Sequence, residues 1–195
     1  MFEAAPARLD EEVGPILPQV QRVIGGIDAI SDWIGRAVSW LTLVMVLATA
    51  YDVIMRYMFN ITYVFIQEAQ WYLFSLIFLL AAGYGLRHDS HVRVDIFYAR
   101  QTARGRAWID MGGAVLFLFP TCYLIVTASI PYVRNSWSDL EVSPDPGGIP
   151  FRYLLKSAIP VGFALLGFQG IAHLLKNLVV ALGFAEPQGS GTHVR

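Results

Sequence analysis

Apolar residues run along this chain in long uninterrupted blocks, and the blocks have the length of membrane spans. Four of them, at about 37–55, 69–86, 111–133 and 157–184, are dominated by Leu, Ile, Val, Phe, Ala and Gly. The last three hold runs of roughly 18 or more residues without Asp, Glu or Arg, enough to cross hydrocarbon as a helix. Lys176 interrupts only the far end of the fourth. Ahead of the first block the period changes. Val20, Ile24, Ile27, Ile30 and Ile34 recur at helical spacing, with Gln21, Arg22, Asp28, Ser31 and Asp32 on other faces. This predicts an amphipathic helix over 19–36, lying at the membrane surface or against a partner. Gly25-Gly26 weakens it, and Trp33 and Trp40 mark the interface where the first span begins. Residues 1–18 are acidic and proline-containing and predict a flexible tail without the basic start of a cleavable signal; residues 185–195 predict a disordered tail.

The predicted fold is therefore an all-α integral membrane protein. Four transmembrane helices form one domain over 37–184, joined by the amphipathic interfacial helix and a short cytoplasmic interfacial segment. The connections differ in kind. The segment 56–67 is short and rich in aromatics and should hug the membrane surface. Residues 87–106 are the most basic, with Arg87, Arg93, Arg100, Arg104 and Arg106. Residues 134–152 mix Asp139, Glu141 and Asp145 with prolines and glycines, which predicts a turn-rich loop with no helix of its own. Pro160 is expected near the start of the fourth helix, where a missing N–H costs least; Pro120 and Pro131 should bend the third. Lys and Arg gather on the side of the termini and the 87–106 segment, so that side is expected in the cytoplasm.

Composition narrows the function. Of 195 residues, 55% are hydrophobic and 15% charged, against about 25% charged in soluble domains. The net charge of −1 offers no basic surface for nucleic acid. The lone Cys122 cannot form an internal disulfide and reads as a packing residue. No Cys/His spacing suits a metal, and no cofactor or catalytic site is implied.

A few polar groups invite chemistry. Asp52 and Arg56 stand four apart near the outer end of the first span, and Glu68 opens the second. Charges facing lipid are costly, so the three read as an ion-pair cluster pinning the first connection; the alternative is that one carboxylate takes a coupling cation or a proton. His88 and His91 lie in a loop without a second cluster, and read as interfacial anchors. Arg93, Arg100, Arg104 and Arg106, with Trp108, suit phospholipid headgroups. Small residues (Ala81, Ala82, Gly83 and Gly85; Gly112, Gly113 and Ala114) suggest close helix packing, and Gln169 is expected to bond within the bundle or to a partner helix.

Several segments carry a family resemblance: Asp28-Ala29-Ile30-Ser31, the Arg56-Tyr57 exit, Gln67-Glu68, HDSHVRVDIFY at 88–98, EVSPDPGGIPFRYLLKSAIP at 141–160 and GFQGIAHLLK at 167–176. Together they resemble the small membrane subunit of a tripartite ATP-independent periplasmic (TRAP) transporter, nearest the branch associated with mannitol, chloroaromatic and 2-oxoacid uptake. The resemblance implies a non-catalytic subunit of a sodium-coupled organic-acid transporter in the bacterial inner membrane. It implies pairing with a large permease subunit as part of a static scaffold, and a periplasmic substrate-binding protein as the other partner. Asp139, Glu141 and Asp145 then become candidates for docking that protein. Two rivals remain. A haem-bearing anchor of a respiratory enzyme would need facing histidines at mid-span, and a self-sufficient small transporter would need a polar lining through the bilayer.

Overall fold

The computed structural model describes residues 17–88 and 101–183, and the described residues form helices without strands. Helix α1 spans Leu17–Phe59, α2 Val64–Arg87, α3 Ala103–Gly113, α4 Phe119–Ser138 and α5 Arg152–Ala181; a π-helical segment, Ala114–Leu118, joins α3 to α4 without a break. Counting α3 through α4 as one, four helices are long and apolar enough to cross a membrane. They run up and down, so the connections at 60–63 and 139–151 lie together at one end, here the loop end. Asp28, Arg87 and Lys176 meet at the other end, the base. The two tails and the stretch with His91, Arg93 and Arg100 lie outside the described residues.

The first prediction to change is the amphipathic helix. It is not a separate element: α1 is continuous for 43 residues, about 64 Å at the rise of an α-helix. Pro18 sits in its first turn, where proline is tolerated. No proline follows, and unbonded backbone is costly beside lipid, so the helix runs on through Gly25-Gly26. The apolar stripe faces the bundle. Val20, Ile24, Ile27 and Ile34 are half-buried, while Ile30 turns outward. Asn60 ends the helix in a left-handed conformation (φ 53°) and Ile61 N–H reaches Met55 O at 3.1 Å, the closure that asparagine permits at a helix terminus.

The prolines act differently from one another. Ahead of Pro120 the helix widens into the π-segment, where Phe119 N–H bonds Ala114 O five residues back. A proline removes one helical bond and crowds the preceding turn, and a π-turn absorbs both. Pro160 is a correction. The fourth helix begins at Arg152, ahead of the expected span, so Pro160 lies two turns inside α5. Arg152 and Lys156 extend the helix outward because long basic side chains carry their charge away from apolar walls.

Close packing uses only part of the clusters in α2 and α3: Gly83 is buried with Leu165 O 3.5 Å from where a Cβ would stand, and Ala114 is buried. Gly85, Gly112 and Gly113 have open space where a Cβ would stand. The tight crossings are at Gly162, whose Cβ would lie 2.8 Å from Leu79 O, and at Gly170, which admits Leu118 and Phe119 beside the π-segment. Without a solvent to drive helices together in lipid, backbone approach of this kind holds the bundle.

Candidate functional site

Polar chemistry collects at the two ends of the bundle, and the two collections are built differently. At the base, Gln169 of α5 is the most deeply buried large side chain, 1% exposed. It accepts from Ser31 Oγ at 2.6 Å and donates through Nε2 to Asp28 Oδ1 at 2.9 Å, so its amide is bonded inside its own bundle. Asp28 also pairs with Lys176 at 2.7 Å and lies 3.8 Å from Arg87 Nε. Arg87 donates to the backbone carbonyl of Asp28 at 2.5 Å and pairs with Asp32. Three helices are thus tied by two acids, two bases and an amide. Sequence reading passed over this network, although antiparallel spans of known length put the acids of α1 at the same depth as the C-terminal cations of α2 and α5.

At the loop end the predicted trio separates. Arg56 pairs with Asp52, which is 5% exposed on the bundle side of α1. Glu68 is not in that pair: no ion pair joins it to Arg56 among the described residues. From the first turns of α2, where a helix N-terminus favours a carboxylate, it accepts from Ser143 Oγ and from Ile149 N–H at 2.6 Å. Glu68 is 6% exposed, so a helix carboxylate serves as the internal post around which the 139–151 loop is wound. The loop completes itself with Ser143 N–H to Ile149 O at 3.3 Å, Asp145 N–H to Ser143 Oγ at 3.2 Å and Gly148 N–H to Asp145 O at 3.0 Å. Gly147 takes φ 83°, and a Cβ on Gly148 would come within 2.5 Å of Glu68 Oε2. The turn therefore needs both glycines.

Glu141 anchors the other side of the loop. It accepts from Ser136 Oγ at 2.6 Å and pairs with Lys156, whose ammonium also lies 4.1 Å from the centroid of the Tyr132 ring. The hydrogen bond from Lys156, then that from Ser136, holds its carboxyl below the usual range. Trp137 Nε1 donates to Ser157 Oγ at 2.8 Å, joining α4 to α5 below it. Leu140 sits in the left-handed region at φ 44°, a conformation that costs a branched side chain roughly 1 kcal/mol or more. Glu141 N–H to Ser136 O at 3.0 Å and Arg152 N–H to Glu141 O at 3.2 Å hold it there. Of the three candidate docking acids, Asp139 and Asp145 are exposed, whereas Glu141 already has its partners within the chain.

The remaining candidates lie at the base. Trp108 is 61% exposed on α3, while Arg104 and Arg106 are half-buried beside it, Arg106 Nε donating to Gln101 O at 3.2 Å. His88 caps α2 with Nδ1 3.1 Å from Tyr84 O and its ring 4.1 Å from that of Tyr84. Among the described residues no three His, Cys, Asp or Glu side chains stand together as a metal site.

Four membrane-length helices with their charges confined to the two ends define a multi-pass all-α membrane protein. The profile of the family described as "Tripartite ATP-independent periplasmic transporters, DctQ component" matches residues 45–180. That is well over half of the chain, and the chain belongs to this family. It is similar to the C4-dicarboxylate TRAP transporter small permease protein DctQ of Vibrio cholerae, 26% identical over 144 residues covering 64% of this chain and 62% of that protein. It is also similar to the ectoine TRAP transporter small permease protein TeaB of Halomonas elongata, 26% identical over 163 residues covering 84% of this chain and 80% of that protein. The chain is accordingly a TRAP small permease component of the inner membrane, part of a transporter and not an enzyme.

Proposed function

We propose that this chain pairs with the large permease subunit of a sodium-coupled TRAP transporter for organic acids, belongs to its static scaffold, and helps dock the periplasmic substrate-binding protein. The observation that carries the docking part is the loop wound around Glu68: a surface held by a buried carboxylate is preorganised, and preorganisation lowers the cost of association. The exposed Asp139 and Asp145 on that loop suit a basic patch on the binding protein. The scaffold part is supported by the base network and the glycine crossings, which lock the four helices to one another. Lys and Arg placement supports an orientation with both termini in the cytoplasm and the loop end in the periplasm. Arg93, Arg100, Arg104, Arg106 and Trp108 would then meet phospholipid headgroups at the cytoplasmic face.

The two relatives differ in the solute each is named for, a C4-dicarboxylate and ectoine, at the same 26% identity. That is expected if solute selection lies in the other two components. The test is uptake into proteoliposomes carrying the cognate large subunit, with purified binding protein and an inward sodium gradient. Leaving this chain out should abolish uptake. Full uptake without it, or uptake by this chain alone, would overturn the assignment.

A further inference from the structure

Between α2, α4 and α5 a half-enclosed slot of about 300 Å³ opens at the loop end. Its mouth is polar, formed by Arg152, Lys156, Tyr132 and Glu141, and its floor is apolar, formed by Leu79 and Ile159. Arg152 and Ile159 are seven residues apart on one helix, so the lining changes character over about 10 Å. Glu141 is taken up by Lys156 and Ser136, and Glu68, behind the mouth, by Ser143 and Ile149. The Arg152 guanidinium closes no ion pair among the described residues. Nearby on α2, the buried Tyr72 Oη lies beside the Arg152 guanidinium, which also stands in the field of the Glu68 and Glu141 carboxylates without closing on either.

A cation at the mouth, a phenol hydroxyl beside it and hydrocarbon walls below complement a molecule with an oxyanion at one end and methylenes at the other. We propose that the slot is a phospholipid site. The phosphodiester lies against Arg152, where a planar guanidinium matches phosphate oxygens better than an ammonium would, and the start of one acyl chain covers the apolar floor at Leu79 and Ile159. A free oxyanion shares the head chemistry but leaves the apolar floor uncovered. This site is distinct from the arginines at the base and does not depend on the transport reading.

The test titrates the full-length, delipidated chain in detergent by native mass spectrometry with three probes: dioctanoyl phosphatidylglycerol, glycerol 3-phosphate (head without tail) and dioctanoylglycerol (tail without phosphate). The lipid should saturate one site, and each fragment should bind at least about tenfold more weakly. Arg152→Gln should weaken lipid binding about tenfold, the scale of one charge-assisted contact, and Arg152→Lys should recover part of it. Ile159→Trp should fill the floor and reduce lipid binding without changing that of glycerol 3-phosphate. Glycerol 3-phosphate binding as tightly as the lipid would make the slot a free-anion site and overturn the proposal. Equal lipid binding by Arg152→Gln and the natural chain would do the same, since it would mean unspecific annular lipid. Where Ile159→Trp fails to fold, the three probes on the natural chain still decide.

Discussion

The base and the loop end use the same device, carboxylates held by donors from other segments, for opposite purposes. At the base, Asp28 and Asp32 receive from Arg87, Lys176 and Gln169, so every bond runs from helix to helix. At the loop end, Glu68 and Glu141 receive from Ser143, Ile149, Ser136 and Lys156, and most of those bonds secure the loop to a helix. One end closes the bundle and the other shapes a surface. Damage to the base should therefore appear as lost stability, and damage to the loop end as lost recognition with the bundle intact.

The sharpest way to break this contrast is Asp28→Ala. It strips Lys176, Arg87 and the Gln169 amide of a shared acceptor. Removing one member of a buried charged set costs about 3–5 kcal/mol, and with Asp28 15% exposed the expected loss is about 2–3 kcal/mol. Unfolding in mixed detergent micelles measures it; an unchanged midpoint would put the base network on a par with ordinary surface charge.

Glu68→Ala should leave the unfolding midpoint nearly where it was and loosen the loop. Loss of a charge-assisted bond, about 1.5–3 kcal/mol, predicts amide exchange at Ile149 faster by roughly ten- to a hundredfold. Uptake supported by the binding protein should fall with the membrane complex still assembled. A drop in stability as large as that of Asp28→Ala would erase the distinction between the ends.

Acid should reach the loop end through Glu141. Its carboxyl is held below the usual range chiefly by Lys156. The stabilisation is therefore fully present above the unfolded carboxylate value of about 4.3 and is lost as pH falls through the lower folded value. Protection of the 141–149 amides, taken relative to intrinsic exchange at each pH, should stay flat from neutral pH to below 5 and fall only in stronger acid, and Glu141→Gln should be loose at every pH. The smallest effect belongs to the exposed acids. Reversing Asp139 and Asp145 to Lys together should reduce binding-protein affinity by a few-fold, about 1 kcal/mol or less, mainly through association rate and in a salt-dependent way. Unchanged uptake kinetics would remove these two from the docking surface.

The number of spans and their order were legible because hydrocarbon length imposes a blunt, long-range pattern. The ends of the helices were not. Arg152 and Lys156 look like loop residues by polarity, yet they extend α5 and carry Pro160 inside it. The continuity of α1 was hidden by its change of period at residue 36, although nothing in the chain there stops a helix. For Glu68, proximity in sequence pointed to Arg56, four residues from Asp52, while its donors are Ser143 and Ile149, more than seventy residues on. Pairings of that range depend on how the helices are arranged around one another, which hydropathy does not encode. The small-residue contacts were only partly legible for a related reason: Gly83 meets α5 while Gly85 does not, because which small residue meets a neighbour depends on rotation about each helix axis.

The length of α1 has a mechanical consequence. From Asp28 to Phe59 the helix rises about 47 Å, already the thickness of a bilayer with its headgroups, about 40–45 Å. The turns ahead of Asp28 add about 16 Å more, and there Val20 and Ile24 stay half-buried against the bundle. Because the helix is unbroken from Leu17 to Phe59, a displacement at its first turns would be carried to the loop end as the tilt of one piece.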